Sequence, residues 1–165
     1  MKRNFIPLLA AALLAPLPAA AMDVIQGELL QGCVLSDGNR VAAIRMTMAP
    51  GWKTYWRAPG DMGIPPHFDW GGSENLSAVA VEWPAPTVFR EKNLTTIGYR
   101  DQVLLPLVIT TSDKGAPVML NTTIDMGVCL DICVPATLHV EGLIDTDATR
   151  AVPAIAASLA QRPYS

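Results

Sequence analysis

Hydrophobic positions recur along residues 24–144 in short runs rich in Val, Ile, Leu and Thr, each bounded by Gly, Pro, Asn or Asp. A turn signal roughly every ten residues predicts the short strands of a β-sandwich rather than alternating strands and helices. The predicted strands are 24–35, 40–48, 52–58, 67–70, 78–83, 96–100, 102–110, 118–128 and 136–144. In the second of these, RVAAIRMTM, Ala42, Ile44, Met46 and Met48 share one face and Val41, Ala43, Arg45 and Thr47 the other, so the even set is expected to turn inward. SDGN at 36–39 and APG at 49–51 supply the first turns. After the last strand, Asp145 or Thr146 can cap a short helix over about 147–161, although Pro153 lies inside that span. The fold class is therefore all-β, a sandwich with a short C-terminal helix.

The first 21 residues follow a different pattern. Lys2 and Arg3 precede an apolar run, FIPLLAAALLAPLPAAA, that ends in Ala19, Ala20 and Ala21. This is the layout of a secretory signal peptide over 1–21, with a mature domain over 22–165. Pro7, Pro16 and Pro18 argue against a stable membrane span, and the run falls short of the roughly 20 residues a bilayer needs. The mature chain is long enough for one domain with a core of its own. Loss of Lys2 and Arg3 makes it more acidic than the net −3 of the whole chain, and no basic patch for nucleic acid is visible. The expected protein is exported and soluble.

Export usually means an oxidising compartment, where nearby cysteines pair. The chain has three cysteines, two of them in DMGVCLDICVP at 125–135, with Leu130, Asp131 and Ile132 between Cys129 and Cys133. Four steps along an extended strand cover about 13 Å, whereas a disulfide needs its Cα atoms within about 7 Å, so the chain must turn between them. Asp131 is a natural turn former; a single helical turn would also serve. The ring so closed is small. It constrains the unfolded chain by about 2 kcal/mol, against nearly 5 kcal/mol for a loop of 100 residues, which makes it a poor staple. Exposed or strained disulfides tend instead to be labile or catalytic, and on the residues alone redox and structural roles stay open side by side. A metal site would need further ligands, yet His139 lies six residues past Cys133 on a predicted strand and His67 is far off in sequence.

The blocks PGWKTYWRAPGDMGIPPHFDW, WPAPTVF, IGYRDQVLLPLVIT and DMGVCLDICVP, in this order, resemble the amino-terminal periplasmic domain of the DsbD family of thiol:disulfide interchange proteins. The Cys-x3-Cys spacing is similar to that of its copper-tolerance (ScsB-like) branch; better-known members have five residues between the cysteines. The resemblance runs from about Leu29 to Leu143. It implies an immunoglobulin-like β-sandwich in which Cys129 and Cys133 are the redox-active pair. Cys133 would form the mixed disulfide with partners and Cys129 would resolve it. It also implies a cap loop, here approximately VFREKNLTT at 88–96, to which Phe89 and Glu91 contribute, with Tyr55 and Tyr99 from flanking strands near the pair. Asp131 would be the turn residue and Pro135 part of the matched motif. Implied partners are thioredoxin-like periplasmic proteins and a membrane electron-transfer protein; this sequence carries neither module, so either they are separate proteins or the chain is a degenerate or truncated copy of a longer reductase. No flavin, haem or nicotinamide motif is visible, so no cofactor is expected beyond the cysteine pair itself.

Two rival functions are kept: an immunoglobulin-like binding module with an inert bridge, and a copper-binding protein using soft ligands such as Met46, Met48, Met62, Met119 and Met126. Methionines on alternating strands are more often core filler. Trp52, Trp56, Trp70 and Trp83 are likewise expected to pack, and Cys33, outside the motif, to be a free buried core residue. Asn75, Asn93 and Asn121 fall in Asn-x-Ser/Thr patterns at chance level.

Overall fold

A computed structural model describes residues 24–147 and 153–163; the expected signal peptide lies outside these. The strands are β1 (Ile25–Val34), β2 (Arg40–Met48), β3 (Lys53–Gly60), β4 (His67–Asp69), β5 (Leu76–Val81), β6 (Thr87–Glu91), β7 (Leu94–Arg100), β8 (Gln102–Thr111), β9 (Val118–Cys129) and β10 (Cys133–Ile144), followed by the helix α1 (Pro153–Ala160). They form two antiparallel sheets, one in the order β1-β2-β8-β5, the other β10-β9-β3-β7-β6 with β4 added to β9. The fold is an immunoglobulin-like all-β sandwich. No described helix is long and apolar enough to cross a membrane.

Alternation builds the core. Ala42, Ile44, Met46 and Met48 of β2 meet Val103, Leu105, Leu107 and Ile109 of β8, and across the sandwich Leu120, Ile124, Met126 and Val128 of β9. Phe68, Trp70 and Trp83 stack beside them, Phe68 parallel to Trp70 at 5.2 Å and edge-on to Trp83 at 6.2 Å. All four tryptophans pack against this core. The other face of β2 is not wholly solvent-facing: Val41 and Ala43 are buried under Ile155 of α1 in a second, smaller cluster. Ser158 of the helix donates to the Leu104 carbonyl of β8 at 2.8 Å.

The helix expected over about 147–161 is described as Pro153–Ala160, residues 148–152 of that span lying outside the described residues; proline suits a first helical turn, where a missing N–H costs nothing and the fixed φ fits. The Thr146 hydroxyl donates to the Asp147 carboxylate at 3.0 Å. Two expectations, those for Cys33 and for segment 88–96, need correction here. Cys33 is free, but only partly buried, at the margin of the small cluster under α1 rather than in the main core. Segment 88–96 is no irregular loop; β6 and β7 make it a hairpin, with Glu91 opposite Leu94 and Lys92 in the left-handed region at φ 57°.

Candidate functional site

β9 and β10 form a hairpin in unbroken register from Val118 opposite Ile144 to Cys129 opposite Cys133. The two cysteines are its last pair before the turn Leu130–Asp131–Ile132, where the Leu130 N–H donates to the Ile132 carbonyl at 3.1 Å. Their Cα atoms are 4.0 Å apart and their sulfurs are bonded. The turn that sequence left open is thus a β-hairpin turn. Asp131 stands exposed at its centre.

The two sulfur-bearing residues are unequal. Cys129 is 1% exposed, because β9 is flanked by β10 on one side and by Lys53 of β3 on the other. Cys133 opens the edge strand β10 and is exposed. Pro135 follows two residues on, opposite Gly127; a proline is tolerated there because an edge strand has free ladder positions. Leu130 and Ile132 add exposed apolar surface around the bond.

Tyr55 closes the site from β3. Its hydroxyl lies 2.9 Å from the Cys129 sulfur and 3.2 Å from that of Cys133. Two glycines make room for its ring. A Cβ on Gly127 would stand 3.3 Å from Tyr55 Cε2 and 3.0 Å from Ile64 Cβ, and one on Gly63 would come within 2.6 Å of Tyr55 Cδ1. The Gly127 N–H donates to the Ile64 carbonyl at 3.0 Å, which pins segment 61–66 beside the ring. Burial, and secondarily the charge of Glu91, push the Tyr55 hydroxyl's pKa up, so it remains a proton donor at neutral pH.

The β6–β7 hairpin supplies the cap. Lys53 shares the outer face of the sheet with Cys129 and Arg100, its partners in register on either side. Its ammonium meets the Glu91 carboxylate at 2.6 Å. The Phe89 ring receives both cations, Lys53 at 5.2 Å and Arg100 at 5.1 Å from its centre. The hydrogen bond from Lys53, then its charge, and more weakly Arg100, hold the Glu91 carboxyl below its usual range.

Of the residues singled out from sequence, Cys129, Cys133, Tyr55, Phe89, Glu91, Asp131 and Pro135 thus lie around one patch. Tyr99 does not. It pairs with Thr54 on the inner face of β7, is buried in the core and donates to the Pro84 carbonyl at 2.8 Å. Its side chain belongs to the packing between the sheets. Lys53 and Gly127 were missed. The alternation of WKTYWR places Lys53 on the face of Tyr55, and that was the available signal for it. Gly127 gives no such signal, since only the folded ring position demands it.

The five methionines singled out for copper divide between core and surface. Met46, Met48 and Met126 are core residues, Met62 is exposed in segment 61–66, and Met119 stands opposite Leu143 at the end of the hairpin remote from Cys129. Among the described residues no group of three or more His, Cys, Asp or Glu is placed to hold a metal. His139 is an exposed strand residue with its Nδ1 3.2 Å from the Thr123 hydroxyl.

An immunoglobulin-like sandwich that displays a cystine, half buried and half exposed, at a hairpin tip defines a small domain suited to dithiol chemistry. The chain belongs to the family of the N-terminal domain of the thiol:disulfide interchange protein DsbD, whose model matches residues 21–144. It is accordingly a thiol:disulfide interchange domain with a Cys-x3-Cys pair. Among solved structures it is similar to the N-terminal periplasmic domain of ScsB from Proteus mirabilis, at 24% identity and a TM-score of 0.69, over 90% of this chain and 58% of that one. The chain therefore spans little more than half of that neighbour. The N-terminal domain of Neisseria meningitidis DsbD in the reduced form also aligns, at 15% identity and a TM-score of 0.39, over 72% of this chain and 84% of that one. No curated protein matches it significantly.

Proposed function

We propose that this is an exported, periplasmic component of a disulfide-reducing chain that takes electrons from a membrane redox partner and passes them to oxidised thioredoxin-like proteins. The observation that carries this reading is the inequality of the two sulfur positions. A partner can reach Cys133, at the edge and exposed, whereas Cys129 is held beneath it, in bonding contact and next to a hydroxyl donor. In the reduced protein, a Cys133 thiolate attacks one sulfur of the partner's disulfide, forming a mixed disulfide and releasing the partner's other sulfur as thiolate. A Cys129 thiolate then attacks Cys133, frees the partner's remaining sulfur and leaves the 129–133 bond. Two electrons have passed to the partner, which takes up two protons. The reverse sequence recharges the domain.

Trapping tests it. In a Cys33→Ala background, Cys129→Ser leaves an exposed Cys133 with no resolving thiol and is expected to accumulate mixed disulfides with thioredoxin-like proteins in an extract of the native periplasm. Cys133→Ser is expected to accumulate far fewer. Equal absence of adducts from both variants contradicts the proposal and favours an inert bridge.

A further inference from the structure

Lys53 is an unusual residue for the outer face of a sheet: it is 6% exposed, although long basic side chains there ordinarily extend their charge into water. Burying an ammonium is costly unless it is paired. Its carboxylate partner is Glu91, whose side chain is 66% exposed on the edge hairpin β6–β7. Lys53 stands directly opposite Cys129 in the β3–β9 register. Cross-strand partners on one face have Cβ atoms about 5 Å apart. Tyr55, two residues along the same face, touches both sulfurs and feels the charge of Glu91. Lysine, glutamate, tyrosine and buried sulfur thus converge within a few side-chain lengths.

The exchange reaction gives this convergence a use. When an incoming thiolate attacks the exposed Cys133 sulfur, the electron pair of the 129–133 bond departs on Cys129, the buried partner. An anion is then formed where water cannot solvate it. The titratable groups around it by contact and register are Tyr55 on the sulfur, Lys53 opposite Cys129, Arg100 of β7 and Glu91 of β6 on the far side of Lys53, and Asp131 in the exposed turn between the cysteines. Lys53 and Arg100 against Glu91 leave one positive charge on the cap side of the sulfurs. We propose that Lys53 is a positioning residue whose ammonium stabilises the Cys129 thiolate released when the disulfide opens, and that Glu91 competes with that thiolate for it. This inference rests on the exchange reaction proposed above. In the oxidised protein Glu91 occupies the ammonium; in the opened form the thiolate shares it.

The test is a titration of Cys129 as the sole thiol, in a Cys33→Ala, Cys133→Ser protein, followed by the ultraviolet absorbance of the thiolate. Lys53→Met is expected to raise the midpoint by about one pH unit or more, which is a thiolate fraction roughly tenfold lower at neutral pH. Lys53→Arg is expected to restore most of the shift, and Glu91→Gln to lower the midpoint below that of the parent. An unchanged midpoint in Lys53→Met, or a raised one in Glu91→Gln, overturns the inference. Should Lys53→Met fail to fold, Glu91→Gln at its exposed position decides alone: a lower midpoint supports the inference, an unchanged or higher one overturns it. A Lys53-dependent midpoint without any trapped partner contradicts the exchange reaction, and trapped partners with a Lys53-independent midpoint contradict only the role of Lys53.

Discussion

The Tyr55 hydroxyl lies 2.9 Å from the sulfur of Cys129, a contact made between β3 and β9 on the outer face of the larger sheet. With its pKa raised by burial and by Glu91, that hydroxyl has a proton to give to a departing thiolate. A hydrogen bond to a charged group contributes about 1.5–3 kcal/mol, so Tyr55→Phe is expected to slow reduction of the disulfide by dithiothreitol at neutral pH roughly tenfold or more. Stopped reactions quantified by thiol alkylation measure it; a rate equal to that of the unaltered protein contradicts a donor role.

Gly127 holds the same contact from below. Alanine there would press its methyl to 3.0 Å from Ile64 Cβ and 3.3 Å from the Tyr55 ring. Overpacking of this kind costs about 1–3 kcal/mol. Gly127→Ala should lower the unfolding free energy measured by chemical denaturation by that amount and slow reduction by dithiothreitol as the hydroxyl is pushed off the sulfurs.

The Lys53–Glu91 pair makes stability depend on pH in a defined direction. The folded protein holds the Glu91 carboxyl below its ordinary value, so the pair's contribution is fully present above the unfolded pKa, near 4.3, and is lost as the pH falls through the lower folded value. The melting temperature of the wild type should therefore exceed that of Glu91→Gln at pH 7, and the gap should close only below about pH 4. A gap that closes between pH 7 and 5 contradicts the assignment.

Arg40 provides a control remote from the sulfurs. Its guanidinium, 1% exposed, donates to the carbonyls of Ile144, Lys114 and Ala116 at 3.3, 3.0 and 2.7 Å, and so ties β2 to the end of β10 opposite the cysteines. Arg40→Ala removes charge-assisted bonds and leaves the Ile144 carbonyl buried without this donor, an expected loss of about 2–4 kcal/mol by chemical denaturation. The reduction rate measured under native conditions should be unchanged.

Strand order along the chain was legible because the period-two alternation of segments such as RVAAIRMTM is strong and one-sided. β6 was not, for its residues TVFRE carry little alternation and its turn uses Lys92 in a left-handed conformation, without the Asn-Gly or Asp-Gly signal of most tight hairpins. α1 was legible as a short C-terminal helix from its Ala, Ile and Leu spacing, although Pro153 reads as a breaker unless it falls in the first turn. In the site, the cysteines, Tyr55 and the cap residues carried a family resemblance. Tyr99 carried the same resemblance, yet strand parity sends it to the other face. The inequality of the two cysteines was not written in their spacing. It follows from which strand is at the edge, a property of the whole sheet.

The reduction potential of the Cys129–Cys133 pair, measured by equilibration with glutathione in a Cys33→Ala protein, addresses the central claim most directly. Inert structural bridges lie below about −300 mV, while exposed exchange-competent ones are more readily reduced. A bond reached at Cys133 and made to open and close should have a potential well above about −300 mV and equilibrate fully within the experiment. A potential below that value, with the bond intact in millimolar reduced glutathione, would contradict the account.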